Sequence, residues 1–170
     1  MREFLDWLEV EARGFAIISL MFKMLIVDLA WNFFAMTVLL GFGSTFSFYG
    51  QLAFPLPESL DMNFSIFLFS AALIEEWIFR FLPLLIVVRI FGKSPIVFVT
   101  MIISSVIFGA CHGGPINIMF QGVSGFFFCI VFLKCGGFQS RPLKALLSST
   151  TSHFLFNLVI FAIGMMARGV

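Results

Sequence analysis

The residues of this chain that are suited to catalysis lie inside strongly apolar segments. His112 and His153 are the only two histidines, and each lies in an apolar segment that contains phenylalanine. Glu75 and Glu76 lie together in a third apolar segment. A carboxylate and an imidazole are the side chains that most often act as general acids and bases. Ionisable groups in such segments are rare and commonly functional, so these residues indicate a site within a membrane.

The segment 75–80 predicts different tasks for its two carboxylates. Glu76 and Arg80 are four residues apart and share one helical face, whereas Glu75 is rotated by about 100° from Glu76. Two unpaired carboxylates in a low-dielectric environment would repel each other, and one of them would keep its proton. By pairing with one of these carboxylates, Arg80 can keep it ionised. The other carboxylate is then free to act as a base.

The two histidine motifs share a four-residue spacing. Phe108 and His112 lie on one helical face, with small residues between them that allow close approach of a neighbouring helix. His153 and Asn157 have the same spacing on another segment. Because a side-chain amide both donates and accepts hydrogen bonds, Asn157 is suited to fixing the imidazole or to binding an oxyanion.

Each motif alone also has a structural explanation. A histidine can bridge two membrane helices, and an acid-base pair can hold two spans together. A free carboxylate, two imidazoles and an amide on three segments are together harder to explain structurally. Each polar side chain adds a cost of roughly a few kcal/mol to membrane insertion.

A nucleophilic cysteine is the alternative chemistry, because Cys111 directly precedes His112. Adjacent helical residues point about 100° apart, so adjacency alone does not pair these side chains. Approach of a partner from another span remains open. The three cysteines have no C-x-x-C spacing, and we expect structural thiols without a disulfide framework.

The composition predicts an all-α, polytopic transmembrane helix bundle. Apolar residues make up 61% of the chain, charged residues only 11%, and the mean hydropathy is +1.09. This composition excludes an ordinary soluble domain and provides apolar length for about five spans of roughly 20 residues. The net charge of +1 gives no indication of a nucleic-acid partner.

Turn and capping residues divide the chain into elements. Residues 1–13 are rich in charge and predict an interfacial amphipathic helix, and residues 14–170 predict a single transmembrane domain with its catalytic core at about 62–166. Within the second span, Pro83 predicts a kink or a break. The five spans are expected at about residues 14–40, 62–90, 94–112, 115–134 and 142–166, with a long connection at 41–62.

The basic residues predict an orientation in the membrane. Lys and Arg residues flank the turn after the second span and the turn before the fifth span, but the connections 41–62 and 113–115 contain none. Because cytoplasmic loops carry the excess of basic residues, the basic turns and the N-terminus should face the cytoplasm. The basic residues of the two turns are Arg89 and Lys93, then Lys134, Arg141 and Lys144.

Three motifs together resemble those of a known family. Glu-Glu-x-x-x-Arg at 75–80, Phe-x-x-x-His at 108–112 and His-x-x-x-Asn at 153–157 occur in this order and on separate predicted spans. This set is similar to that of the CAAX protease and bacteriocin-processing family, which comprises glutamate-type intramembrane endopeptidases. The resemblance covers about residues 62–166.

The resemblance implies a role for each residue. Glu75 would activate a water with help from His112, and His153 and Asn157 would stabilise the tetrahedral oxyanion. The residues expected to support the site are Glu76, Arg80 and Phe108. Some members of the family are described as metalloproteases, and Glu75, His112 and His153 are the side chains that could hold zinc. Because the chain has no HExxH-type pair, we expect no resident metal and a water polarised by glutamate.

The resemblance also suggests a substrate and a location. Lacking the additional spans of the larger prenyl-protein proteases, the chain is expected to be a compact member in a bacterial or archaeal inner membrane. At 1.5 Å per residue, Glu75, His112 and His153 lie about 22, 27 and 17 Å from the predicted cytoplasmic ends. A site at this depth suits cleavage of the outer part of a membrane-anchored protein, as in the trimming of C-terminal sorting anchors by myxosortase-like members.

Two other classes of protein remain open. The first is a non-catalytic membrane protein of the same architecture, such as an immunity or scaffold subunit. The second is a proton-coupled transporter in which the carboxylate and the two histidines form a relay. Five spans without an inverted repeat are less typical of a transporter.

Overall fold

The computed structural model of the chain describes residues 1–41 and 61–168. These residues form helices and short turns, with no β-strand among them, so the predicted all-α class is confirmed. Residues 42–60, most of the predicted connection 41–62, lie outside the described ranges. The α-helices of the described ranges are α1 (Arg2–Glu9), α2 (Phe15–Gly41), α3 (Met62–Glu76), α4 (Leu82–Phe91), α5 (Pro95–Cys111), α6 (Pro115–Asn117), α7 (Val123–Phe132) and α8 (Pro142–Arg168).

Wider, π-helical turns connect several of these helices. Trp77–Phe81 joins α3 to α4, and Ile118–Gly122 joins α6 to α7. A third turn, Leu133–Gly137, ends α7 and leaves helical geometry at Cys135 and Gly136. None of these turns was predicted as π-helical, although a kink or break was expected at Pro83.

Among the described residues, three segments are long and apolar enough to cross a membrane by themselves. They are Phe15–Val38, Pro115–Gly137 and Pro142–Met166, and they coincide with the predicted first, fourth and fifth spans. Helix α5 is apolar but has only 17 residues. Because the segment α3–α4 carries four charged side chains, the total of five spans stays a prediction.

The predicted kink at Pro83 takes the form of a π-helical turn just before the proline. Pro83 has no amide hydrogen, so it cannot donate to the carbonyl of Phe79 four residues earlier. The hydroxyl of Ser104 on α5 donates to that carbonyl instead. The helical path therefore continues from α3 into α4, and α5 is fixed against the irregular turn.

Helix α5 begins and ends where the sequence predicts. The Ser94 hydroxyl accepts a hydrogen bond from the amide of Ile96 at 3.4 Å, and Pro95 occupies the first helical position. At the other end, Gly113 and Gly114 have φ angles of 115° and 122°. Only glycine adopts such angles readily, so the helix stops directly after His112.

The N-terminal helix packs against one end of the bundle. Leu5 and Leu8 of α1 are buried in the main hydrophobic cluster. The Lys134 ammonium group donates to the carbonyl of Trp7 at 2.7 Å and lies 4.4 Å from the centre of the Trp7 ring. The segment 1–13 thus covers the basic end of the bundle.

Ion pairs add to this packing. Lys93, which precedes α5, pairs with Asp6 of α1. The Glu11 carboxylate pairs with Lys144 at 2.7 Å and with Arg141 at 3.3 Å, and its side chain is only 4% exposed. Both basic turns predicted to be cytoplasmic therefore lie at the same end of the molecule.

The attachment of the N-terminal segment should depend on pH. The hydrogen bond from Lys144 holds the pKa of Glu11 below its ordinary value of 4.5. Because the folded pKa is lowered, the stabilisation is complete above the ordinary value and is lost as the pH falls through the lowered one. We expect amide hydrogen exchange in α1 to accelerate in that acidic range.

The variant Glu11→Gln tests this pH dependence. It should exchange faster in α1 at neutral pH and show a smaller change on acidification. Glu3→Gln, which removes a carboxylate with no ion pair among the described residues, should behave like the wild type. Equal exchange in all three proteins would contradict the role given to Glu11.

A buried polar cluster attaches α2 to α7. The Asp28 side chain is almost fully buried, and its Oδ1 accepts hydrogen bonds from Ser124 Oγ at 2.7 Å and Asn32 Nδ2 at 3.0 Å. Nearby, Trp31 Nε1 donates to the carbonyl of Met119 at 2.6 Å, within the second π-helical turn. These bonds fix the first long helix against the fourth predicted span.

Candidate active site

Three elements bring Glu75, His112 and His153 together. Glu75 lies at the end of α3, His112 caps α5, and His153 lies in the middle of α8. Glu75 Oε1 is 3.8 Å from His112 Nε2, and Glu75 Oε2 is 3.5 Å from His153 Nε2. The carboxylate therefore lies between the two rings, slightly beyond ordinary hydrogen-bonding distance from each.

The exposure of these side chains decreases from Glu75 inward. The Glu75 side chain is 26% exposed and that of His112 is 16% exposed. His153 is 1% exposed, and Glu76 and Arg80 are fully buried. Glu75 and His112 are thus open to an approaching molecule, whereas His153 lies behind them.

Glu76 links Arg80 to His153. Its Oε1 atom is 3.1 Å from Arg80 Nη1 and 3.0 Å from His153 Nδ1. The Arg80 guanidinium also lies over the ring of Phe108, 4.1 Å from its centre. The predicted helical pair of Glu76 and Arg80 is present, and it compensates two charges that would be costly to bury alone.

Two phenylalanine rings frame the histidines. The Phe108 ring centre lies 4.4 Å from that of His112 and 5.6 Å from that of His153. The Phe128 ring stacks on His153 at 4.5 Å with an angle of 20° between the planes. Phe108 was among the residues predicted to support the site. Phe128 was not predicted to support the site. The chain contains 26 phenylalanines, and nothing in the sequence distinguishes Phe128 from the others.

Contacts at the C-terminal end of α5 fix the position of His112. Its Nδ1 atom lies 2.7 Å from the carbonyl oxygen of Phe108. The buried side chain of Asn117 donates to the carbonyl of His112. Asn117 was not predicted from the sequence, although a polar residue two positions after the Gly-Gly-Pro turn was an available signal.

Asn157 lies one helical turn beyond His153 on α8 and is partly buried. Within the part of the chain that the structure describes, its side chain makes no hydrogen bond. Its predicted role toward an oxyanion stays a prediction.

No metal-binding arrangement is present among the described residues. Glu75, His112 and His153 do not form a group placed to hold a metal ion, nor do any other His, Cys, Asp and Glu side chains within those ranges. Cys111 is exposed, Cys129 and Cys135 are buried, and all three are free thiols.

The described residues thus combine apolar helices long enough to cross a membrane with one carboxylate held between two imidazoles. The model of the family described as Type II CAAX prenyl endopeptidase Rce1-like matches residues 58–159, more than half of the chain, and the chain belongs to this family. No curated protein and no solved structure matches the chain.

The family membership confirms the resemblance inferred from the three motifs. The chain is an integral membrane protein of an intramembrane protease family, whose substrates are proteins in a membrane context. The match includes every residue predicted for the site, from Glu75 to Asn157.

Gly125 keeps space for the buried guanidinium. A Cβ atom at Gly125 would lie 2.6 Å from Arg80 Nη2 and 3.0 Å from Phe108 Cδ1. We expect Gly125→Ala to lower stability by about 1–3 kcal/mol through overpacking. We expect it also to slow cleavage by about 10²-fold, because Glu76 and His153 move with the displaced Arg80.

Gly122→Ala is the matched control for this change. Gly122 also lies where α7 approaches α5, but its added Cβ would meet Ser105 O at 3.1 Å rather than the ion pair. Thermal unfolding and cleavage rates of both variants separate the two effects. Equal loss of activity in both would contradict a specific role for Gly125.

Proposed function

We propose that this protein is a glutamate-type intramembrane endopeptidase in which Glu75 is the general base. The observation that carries the proposal is the position of the Glu75 carboxylate between the Nε2 atoms of His112 and His153. A carboxylate in this position can accept a proton from a water while that water attacks a peptide carbonyl.

His112 is proposed to orient the attacking water. A carbonyl oxygen only accepts hydrogen bonds, so His112 Nδ1 must carry the hydrogen in its contact with Phe108. In the neutral ring, Nε2 then has a free electron pair and can accept a hydrogen bond from the water. Glu75 and His112 together would hold both hydrogens of that water.

The oxyanion is proposed to form on the side of α8. His153 and Asn157 are four residues apart on that helix, and the Asn157 amide, which makes no hydrogen bond to the residues that the structure describes, can donate to an oxyanion. Glu76, Arg80 and Phe108 would support the site through the contacts described above.

The substrate is proposed to be a membrane-anchored protein that is cut near the outer face. Helix α5 begins next to the basic end of the bundle and ends at His112, about 25 Å away along its axis. If the basic end is cytoplasmic, the site opens toward the outer side of a bacterial or archaeal inner membrane. Such a site suits the trimming of C-terminal sorting anchors by a myxosortase-like member.

Cleavage by the reconstituted protein tests both the proposed activity and the side of the membrane on which the substrate is cut. Proteoliposomes would receive substrates with a single transmembrane anchor and a cleavable segment on either side of it, and a prenylated CAAX peptide as a third substrate. We expect cleavage of the segment on the side remote from the basic end. Exclusive cleavage of the prenylated peptide would contradict the proposed substrate.

Cysteine labelling fixes the orientation on which this proposal depends. In a cysteine-free background, Ser140→Cys places a thiol at the basic end and Ile116→Cys places one near the opposite end. We expect a membrane-impermeant maleimide added to intact cells to label Ile116→Cys and not Ser140→Cys. The reverse pattern would contradict an outward-facing site.

A further inference from the structure

The two ring nitrogens of His153 face two different carboxylates. Nδ1 lies 3.0 Å from Glu76 Oε1, and Nε2 lies 3.5 Å from Glu75 Oε2. The resemblance to known proteases assigns His153 only the binding of an oxyanion. Its position between Glu75 and Glu76 suggests a different order of events.

The contacts of Glu76 determine which nitrogen of His153 carries the hydrogen. Glu76 is paired with Arg80, so its oxygens act as acceptors. His153 must therefore donate from Nδ1, and the neutral ring directs the free electron pair of Nε2 toward Glu75. In this state Nε2 cannot donate to an oxyanion, so a proton must reach it first.

The surroundings of His153 leave few routes for that proton. The side chain is 1% exposed, and the Phe128 ring stacks on one of its faces. Phe108 meets the ring at an angle of 85°. Within the described ranges, Glu75, which is 26% exposed, is the titratable group that faces Nε2.

We propose that Glu76 is a positioning residue that orients His153 as the acceptor of the proton that Glu75 removes from the attacking water. Protonated His153 then donates from Nε2, first to the oxyanion as a hydrogen bond and then to the leaving amine as a proton. This inference rests on the proposed function, because it specifies the proton path of the same reaction.

The steps balance without another reactant. The water oxygen forms a bond to the peptide carbon while one water proton passes to Glu75 and on to His153 Nε2. The carbon–nitrogen bond breaks, and the leaving nitrogen takes the proton from Nε2. Glu76 balances the transient positive charge of the ring, in the way that a buried aspartate orients the histidine of a serine protease.

The tautomer of His153 is measurable because the chain has only two histidines. In full-length protein labelled with ¹⁵N-histidine and reconstituted in bilayers, His112→Gln assigns the signals. We expect His153 to be protonated at Nδ1 and unprotonated at Nε2. In Glu76→Gln the new amide can donate to Nδ1, so we expect loss of this tautomer.

Kinetics of the same variant test the proton path. We expect Glu76→Gln to lower kcat by about 10²- to 10⁴-fold. We expect little change in KM, because the position of the general base Glu75 and the contacts with the substrate are unchanged. Glu76→Asp, which keeps the charge, should recover part of the rate. Asp28→Asn is the matched control, because it replaces a buried carboxyl group bonded to Ser124 by an amide of the same shape and should change neither the rate nor the tautomer.

The possible results separate the inference from the proposed function. Wild-type kcat in Glu76→Gln, or a His153 protonated at Nε2 in the wild type, would overturn the inference while leaving the protease activity intact. Absence of cleavage by the wild type would overturn the proposed function and with it the proton path. In that case the tautomer measurement would still establish or overturn the orientation of His153 by Glu76.

Discussion

Replacing Glu75 by Gln should lower the rate of peptide-bond cleavage by about 10²- to 10⁴-fold, the usual contribution of a general base. Gln has nearly the shape of Glu but cannot accept the proton of the attacking water. Because Glu75 is partly exposed and forms no pair as close as that of Glu76 with Arg80, we expect the thermal unfolding temperature to change little. Single-turnover cleavage of an anchored substrate in proteoliposomes measures the rate.

The cleavage rate of Glu75→Gln also distinguishes a protease from a non-catalytic membrane protein and from a proton-coupled transporter. Glu3→Gln removes an exposed carboxylate of α1 and should cleave at the wild-type rate. Unchanged cleavage in Glu75→Gln would contradict the catalytic role of this residue. Loss of a proton flux in Glu75→Gln, with no cleavage by the wild type, would instead favour a transporter.

The largest expected effect on stability comes from Arg80→Met. This change leaves the buried Glu76 carboxylate without its cation, and breaking a buried ion pair typically costs about 3–5 kcal/mol. The Arg80 guanidinium also contacts the Phe108 ring, and that contact is lost too. We expect a lower unfolding temperature in detergent and little remaining cleavage.

The double variant Arg80→Met with Glu76→Gln is the control for the charge. Removing both charges of a buried pair is often close to neutral, so we expect the double variant to be more stable than Arg80→Met alone. Its activity should stay low, because His153 has lost the carboxylate that orients it. A double variant no more stable than the single one would contradict the assignment of the loss to unpaired charge.

Local signals were sufficient to predict the ends of α5 and the ion pair of Glu76 with Arg80. Ser94 and Pro95 mark the start of α5, and Gly113 and Gly114 mark its end, because caps and positive φ angles depend on neighbouring residues. The four-residue spacing of Glu76 and Arg80 likewise predicts an ion pair within one helix. Such interactions are encoded over a few residues and can be inferred without a fold.

Contacts between distant segments were not predictable in the same way. Glu11 pairs with Lys144 across more than one hundred residues, and the charges alone do not specify this pairing. Glu76 as the partner of His153 Nδ1 follows from the crossing of α3 and α8. Pro83 predicted a local distortion, but only the position of Ser104 explains how the free carbonyl of Phe79 is satisfied.

The site depends on irregular points in otherwise regular helices. Glu75 and Glu76 directly precede a π-helical turn, and His112 ends its helix. Irregular backbone inside a membrane is tolerated where protein groups satisfy its hydrogen bonds, as Ser104 does here. These irregular points belong to two of the three elements that form the site, whereas His153 lies in the middle of the regular helix α8.

Solid-state NMR of the protein in lipid bilayers tests the convergence of Glu75, His112 and His153 most directly. With ¹³C-labelled Glu carboxyl groups and ¹⁵N-labelled His, the signals lost in Glu75→Gln identify the couplings of Glu75. We predict a dipolar coupling from the Glu75 carboxyl carbon to Nε2 of both His112 and His153. Coupling to only one ring, or to neither, would contradict a single site formed by these three side chains.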